Sequence, residues 1–262
     1  MRPGNALITG GARRLGRAMG LDLAATGWNV AVHYNGSSDA AEETAADIRA
    51  HGVEAVALGA DLLDEDATSG LVDRAAEALG GPLTLLINNA SIFEDDSPAS
   101  ATRESWDRAV GSNLRAPFRL SQLFARQAPD PVLDANGEPQ AEALIINMID
   151  QRVLKPTPFF MSYTVAKMGL HAFTKTSAQA FAPRVRVMGI GPGPTIVAER
   201  QTNTHFANQR AACILQRGSN PEDIVAAMRF MIACPAVTGQ MIAVDGGQHL
   251  AWQTPDIVGV PE

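Results

Sequence analysis

A doubly wound α/β domain, with one parallel sheet of about seven strands and helices on both faces, is the fold class this sequence predicts. Short apolar runs of strand length alternate with longer amphipathic stretches along the whole chain. In such alternation each right-handed crossover returns the chain to the same sheet. The first apolar run passes through a glycine-containing turn directly into a helical pattern, which joins a buried strand to a helix N-terminus. A chain of 262 residues, 46% hydrophobic, can bury roughly three quarters of its unfolded surface in one core.

The elements follow in order. Ala-Leu-Ile at 6–8 is the first strand, and Thr9-Gly10-Gly11-Ala12-Arg13-Arg14-Leu15-Gly16 turns the chain into a helix over 15–26. Apolar runs at 29–33, 55–58 and 83–87 alternate with helical patterns at 39–50, 64–79 and 102–127. Turn formers then break the pattern at 127–143, in Gln127-Ala128-Pro129-Asp130-Pro131 and Asp134-Ala135-Asn136-Gly137-Glu138-Pro139. This is read as a surface insertion, because division there would leave two half-sheets with exposed edges. Strands at 144–148, 184–188 and 241–244, helices at 161–181 and 221–233, a substrate loop at 194–220 and a tail at 250–262 complete a single domain over 1–262.

A formal charge of -7 with no long basic run opposes a nucleic-acid surface and a polybasic membrane patch. Cys213 and Cys234 lack metal or redox spacing, and no metal site is expected. No apolar stretch reaches the ~20 residues of a bilayer span, and Arg2 leads almost at once into the first strand. A cytoplasmic protein acting on a small molecule is expected.

The glycine turn before a helix is the geometry that binds a dinucleotide pyrophosphate. Gly10, Leu15 and Gly16 belong to it, and Arg13 and Arg14 add cations that can meet a third phosphate on the adenosine ribose. A carboxylate closing the second strand would hydrogen-bond the ribose hydroxyls and repel that phosphate. His33, Tyr34, Asn35 and Ser37 stand there instead, with no carboxylate before Asp39. The cofactor expected is therefore NADPH/NADP+. His33 alone is read foremost as a structural residue with a secondary ribose-phosphate contact.

Tyr163 and Lys167 lie four apart on a helix, so both project from one face. An ammonium beside a phenol favours its ionised form and moves it toward proton transfer near neutrality. With Thr9-Gly10 and Gly16, Asp61-Leu62, Asn88-Asn89-Ala90, Asn113 and Gly191-Pro192-Gly193 in this order, the chain resembles a short-chain dehydrogenase/reductase from end to end. The resemblance implies a Rossmann-like fold, hydride exchange with a nicotinamide, Tyr163 as proton donor, Lys167 on the nicotinamide ribose lowering the tyrosine pKa, and Asn113 holding a relay water. It also implies that Asp61 and Leu62 border the adenine, that Asn89 and Ala90 line the cofactor channel, and that backbone at Pro192 and Gly193 meets the nicotinamide amide.

Two departures narrow the resemblance. Arg14 stands where the family usually has glycine, and Asp150 stands where a serine usually precedes the tyrosine. An ionised carboxylate cannot donate to a substrate carbonyl, but it can accept from a ring N–H or an exocyclic amine. With His33-Tyr34, Asn89-Ala90-Ser91-x-Phe93 and Asn147-Met148-x-Asp150, the chain resembles the pteridine reductase branch, including dihydrofolate and dihydromonapterin reductases. That implies a pterin held between the nicotinamide and Phe93, contacts from Arg14 and Ser91, and proton management by Asp150 and Tyr163. Asn35 and Gly36 replace further basic residues of that branch. In the substrate loop Arg200, His205, Arg210 and Arg217 are cations that could meet a substrate tail, with solvation as the default reading.

The function expected is NADPH-dependent reduction of a pterin or dihydropterin. A reductase of another carbonyl or imine, and a non-catalytic NADPH sensor, are the alternatives. The apolar helix at 161–181 and the segment Val244-Asp245-Gly246-Gly247-Gln248-His249-Leu250 resemble the family's interface elements and imply a homotetramer, with Trp252 and the tail against a neighbour.

Overall fold

In the computed structural model, residues 1–198 and 201–253 are described. The strands are β1 (Asn5–Ile8), β2 (Asn29–Tyr34), β3 (Ala55–Gly59), β4 (Leu83–Asn88), β5 (Val132–Leu133), β6 (Pro139–Gln140), β7 (Ala143–Met148), β8 (Val185–Pro192) and β9 (Met241–Val244). Seven of them form one parallel sheet in the order β3-β2-β1-β4-β7-β8-β9. β5 and β6 make a separate antiparallel hairpin within the 127–143 insertion.

Strand side chains alternate between the two faces, and each face has its own core. Ala6 and Ile8 pack with Met19 and Leu23 of α1 (Arg14–Ala25), Ile48 of α2 (Ser38–Arg49) and Met228 of α9 (Pro221–Ala233). Leu7 and Leu86 face the other way, toward Val72 of α4 (Leu71–Ala78), Phe124 of α6 (Ala116–Gln127) and Ala178 of α7 (Met161–Phe181). Coverage on both faces explains why β1, β4 and β7 read as near-continuous apolar runs. β1 pairs with both β2 and β4, so the chain reverses direction of growth there and opens a crevice beyond the strand ends.

Besides the β5–β6 hairpin, four elements differ from the sequence reading. The helix expected over 64–79 divides at Gly70 into α3 (Glu65–Ser69), whose N-terminal N–H groups are accepted by Asp64, and α4. The helix expected over 102–127 is α5 (Arg103–Val110), a π-helical turn at Gly111–Arg115, and α6. Pro117 lacks the N–H that would continue the ladder, and a widened turn accommodates that loss. The strand expected to end at 188 runs on to Pro192, where Gly189–Pro192 pair with β9. A side chain at 189 would lie 2.5 Å from Ile149 Cδ1, so that glycine serves close packing in a strand. Finally, the 194–220 loop contains α8 (Asn203–Ala211), which buries no residue and so carries no apolar stripe to read.

Candidate active site

The crevice beyond β1, β4 and β7 opens into a cavity of about 820 Å³. Its phosphate end is the glycine turn. Gly10 has φ +61, in the left-handed region, and a Cβ on Gly16 would stand 2.3 Å from the Gly10 carbonyl oxygen. Asn89 Nδ2 donates to the carbonyls of Thr9 and Gly10, and Thr9 Oγ1 accepts from the N–H groups of Asn89 and Ala90. The end of β4 thereby holds the turn from below. Arg13 is the N-cap residue of α1 and gives no side-chain cap, so the first-turn N–H groups remain for an anion. This cradle fits a dinucleotide pyrophosphate, and Leu15 lines the same cavity.

Arg13 is exposed, with no side-chain partner among the described residues. Near the end of β2, Asn35 is exposed and Ser37 is an N-cap that makes no side-chain cap bond to α2. Tyr34 lies against Gly59, where any Cβ would be 3.2 Å from the ring. Asp61 accepts from the Leu63 N–H, with Leu62 half-buried beside it. His33 departs from its expected phosphate contact. Its Nδ1 accepts from the Gly10 N–H at 3.0 Å, so Nε2 carries the proton and donates to the Ala60 carbonyl at 3.0 Å. Both ring nitrogens are used, and the residue positions the turn from within the core.

The reactive end is buried. Tyr163 donates to Asp150 Oδ2 at 2.8 Å, while Asp150 Oδ1 accepts the Arg152 backbone N–H at 2.7 Å. Lys167 Nζ donates to the Met148 carbonyl at 2.7 Å and has two further N–H groups. Asn88 donates to Asn147 and Asn147 to Thr174, a buried chain that fixes α7 against β4 and β7. Burial raises the Asp150 carboxyl above its ordinary range, against the Arg152 and Tyr163 hydrogen bonds and the nearby Arg152 and Lys167 charges. Burial, then the Asp150 charge and hydrogen bond, push the Tyr163 phenol well above its ordinary value.

That corrects the expected effect of Lys167 on Tyr163. The ammonium lies 5.6 Å from the ring centroid and is bonded to a backbone carbonyl, whereas the hydroxyl meets a carboxylate. Burial lowers Lys167 itself to about 8. Asn113 sits in the π-helical turn. Its amide donates to the carbonyls of Ile92 and Ala109, and its Oδ1 accepts from Ser91 Oγ at 2.7 Å. Within the side chain, one lone pair of Oδ1 remains for a relay water.

Ser91, Phe93, Pro192 and Gly193 all line the cavity. Phe93 stacks on Phe160, centroids 4.4 Å apart, and meets Tyr163 at 4.5 Å. Phe160 was missed from sequence; it has φ 56 at the start of α7, and Arg152 lies 5.2 Å over its ring. Arg14 also has positive φ, 54, the conformation a glycine adopts without strain. Its guanidinium donates to the carbonyls of Ile196 and Val197, joining the turn to the 194–220 loop.

Among the described loop cations, only His205 lines the cavity, with Gln201 and Gln209 beside it. Arg210 holds the carbonyls of Pro194 and Ser219, and Arg217 pairs with Asp223 at 2.6 Å. Arg200 and the tail beyond 253 lie outside the described residues. Trp252 is exposed, and no metal-ligating cluster occurs among the described residues.

A family model described as short chain dehydrogenase matches residues 4–208. FolM alternative dihydrofolate reductase 1 from Brucella suis, solved in complex with NADP, is 42% identical with a TM-score of 0.89, covering 97% of this chain and 98% of that one. The Brucella canis protein of the same name, complexed with NADP, is 41% identical with a TM-score of 0.87 and 97% coverage of both chains. Among curated proteins, a 3-oxoacyl-(acyl-carrier-protein) reductase from Synechocystis is 33% identical over 251 residues, 92% of this chain and 95% of the relative.

Proposed function

The chain belongs to the short-chain dehydrogenase/reductase family, and from that premise we propose that it is an NADPH-dependent reductase of a dihydropterin ring, of the dihydrofolate or dihydromonapterin kind. The observation that carries the reading is the part-buried Asp150–Tyr163 pair at 2.8 Å. NADP in the FolM relatives supports the cofactor. When bound, that cofactor supplies hydride to a ring C=N carbon.

The chain's own residues manage the proton and the geometry. Asp150, held above the ordinary carboxylate range, and Tyr163, held well above the ordinary phenol, keep a shared proton that the reduced ring nitrogen takes up. Asp150 also accepts from a ring N–H or amine, Phe93 offers a flat face, and Ser91 and Arg14 flank the ring. Lys167, with its spare N–H groups, binds the nicotinamide ribose. Gly10, Gly16, Leu15, Asn89, Ala90, Pro192 and Gly193 line the cofactor channel, Asp61 and Leu62 border the adenine, and Arg13, Tyr34, Asn35 and Ser37 receive the 2′-phosphate. Residues 1–262 act as one domain, assembled as a cytoplasmic homotetramer.

The test is NADPH oxidation with dihydropterins and dihydrofolate beside ketones and quinones. Tyr163→Phe and Asp150→Ala are each expected to lower pterin turnover about 10²–10⁴-fold. Wild-type turnover falls as pH rises past the raised Asp150 value, and Asp150→Asn removes that limb. Full turnover by both variants would defeat the assignment. Turnover of carbonyls alone would move the substrate class, and NADPH binding without any turnover would favour a sensor.

A further inference from the structure

We propose that Asp96 is the positioning residue of the reactive tyrosine: from the loop after β4 it clamps the first turn of α7 and so sets the Tyr163 hydroxyl against Asp150. The inference rests on the reading of Tyr163 as proton donor. It stands on four contacts.

α7 begins without a cap of its own. Its N-cap residue, Phe160, has left-handed backbone and makes no side-chain cap bond. Asp96 supplies what is missing across a gap of more than sixty residues. Its carbonyl accepts from the Met161 N–H at 3.1 Å and its Oδ1 from the Ser162 N–H at 2.9 Å. Its Oδ2 accepts from Ser105 Oγ at 3.2 Å, in the capping box of α5. The neighbouring Asp95 accepts from the Phe160 N–H at 3.3 Å. Asp96 is buried, and its carboxylate stands at the start of α5 and α7, where both helix dipoles favour a negative charge. Burial alone would raise this carboxyl, but hydrogen bonds from Ser162, Ser105 and Met161 hold it below the ordinary range.

The clamped turn matters because of what it carries. Tyr163 is the third residue of α7, one position beyond Ser162. Phe160, at the other side of the clamp, backs Phe93 in the cavity wall. A non-glycine residue in left-handed backbone persists only where its surroundings over-determine it, and the Asp95–Asp96 contacts are part of that determination. Without them the first turn can unwind, and the Tyr163–Asp150 contact loosens while the cofactor turn at the far end of the cavity keeps its own support from β4.

The test compares Asp96→Ala and Asp96→Asn in the full-length enzyme at saturating NADPH. Asp96→Ala is expected to lower kcat about ten- to hundredfold, the cost of a misplaced catalytic group, with NADPH Kd within about twofold of wild type by fluorescence. Asp96→Asn, which keeps an acceptor oxygen for Ser162, is expected to recover most of kcat. A general loss of structure would weaken NADPH binding in step with kcat. If Asp96→Ala yields no folded protein, Asp96→Ser, with a shorter acceptor, replaces it in the same comparison. Wild-type kcat in the folded Ala or Ser variant, or an Asn variant as slow as Ala, would overturn the proposal. Failure of the pterin reading would appear differently, as a wild type inactive on pterins, and the comparison then moves to whichever substrate the wild type reduces.

Discussion

His33 ties the cofactor turn to proton concentration through two hydrogen bonds. Burial, the largest cause, lowers its pKa from 6.5 to about 4, and the folded residue accepts from Gly10 only while Nδ1 is unprotonated. The unfolded chain binds this proton between those values and the folded chain does not, so stability is lost as pH falls from 6.5 toward 4. The full loss is about 3 kcal/mol by linkage. Urea midpoints measured from pH 6.5 to 5, above most carboxylate titrations, should decline in the wild type and decline less in His33→Gln, which takes up no proton. Equal slopes would assign the acid sensitivity elsewhere. The glycine turn and the Tyr163/Lys167 pair are legible in sequence through residue type and spacing, and Asp150 through its departure from the serine of the family that the chain resembles. The partners of His33 and Arg14 are not, since Ala60, Ile196 and Val197 reach them only through the fold.

At the scale of elements, apolar rhythm located every strand of the large sheet, while the departures lie at glycines, at a proline and in a helix with no buried face. α8 buries no residue, and the π-helical turn keeps the helical rhythm on both flanks. α8 is held by Arg210, which donates to the carbonyls of Pro194 and Ser219 and to Asn220 Oδ1. Charged-donor hydrogen bonds of this sort contribute about 1.5–3 kcal/mol each. Arg210→Ala should therefore free the loop from its stem and raise the substrate KM about tenfold or more, with NADPH Kd near wild type. An unchanged KM would show that the loop holds its posture without that guanidinium.

For the whole molecule, a ligand that binds only the folded chain stabilises it by mass action. NADPH at about 100 times its Kd adds roughly 2.7 kcal/mol, a rise in Tm of roughly 5–10 °C for a chain of this size. NADH at the same concentration should raise Tm less, because Arg13 and the open start of α2 then meet no phosphate. Equal shifts would remove the reading of that corner as a 2′-phosphate site. Arg14 adds a consequence for turnover. One guanidinium lines the cofactor cavity and grips loop carbonyls 182 and 183 residues away in sequence. The two ligands are then thermodynamically conjugate: whatever free energy the dinucleotide contributes to the loop's posture, an occupied loop returns in equal measure as tighter dinucleotide retention. Spent cofactor should thus leave more slowly while product is still aboard, so that release is ordered and product inhibition lengthens cofactor residence as well as blocking the ring pocket.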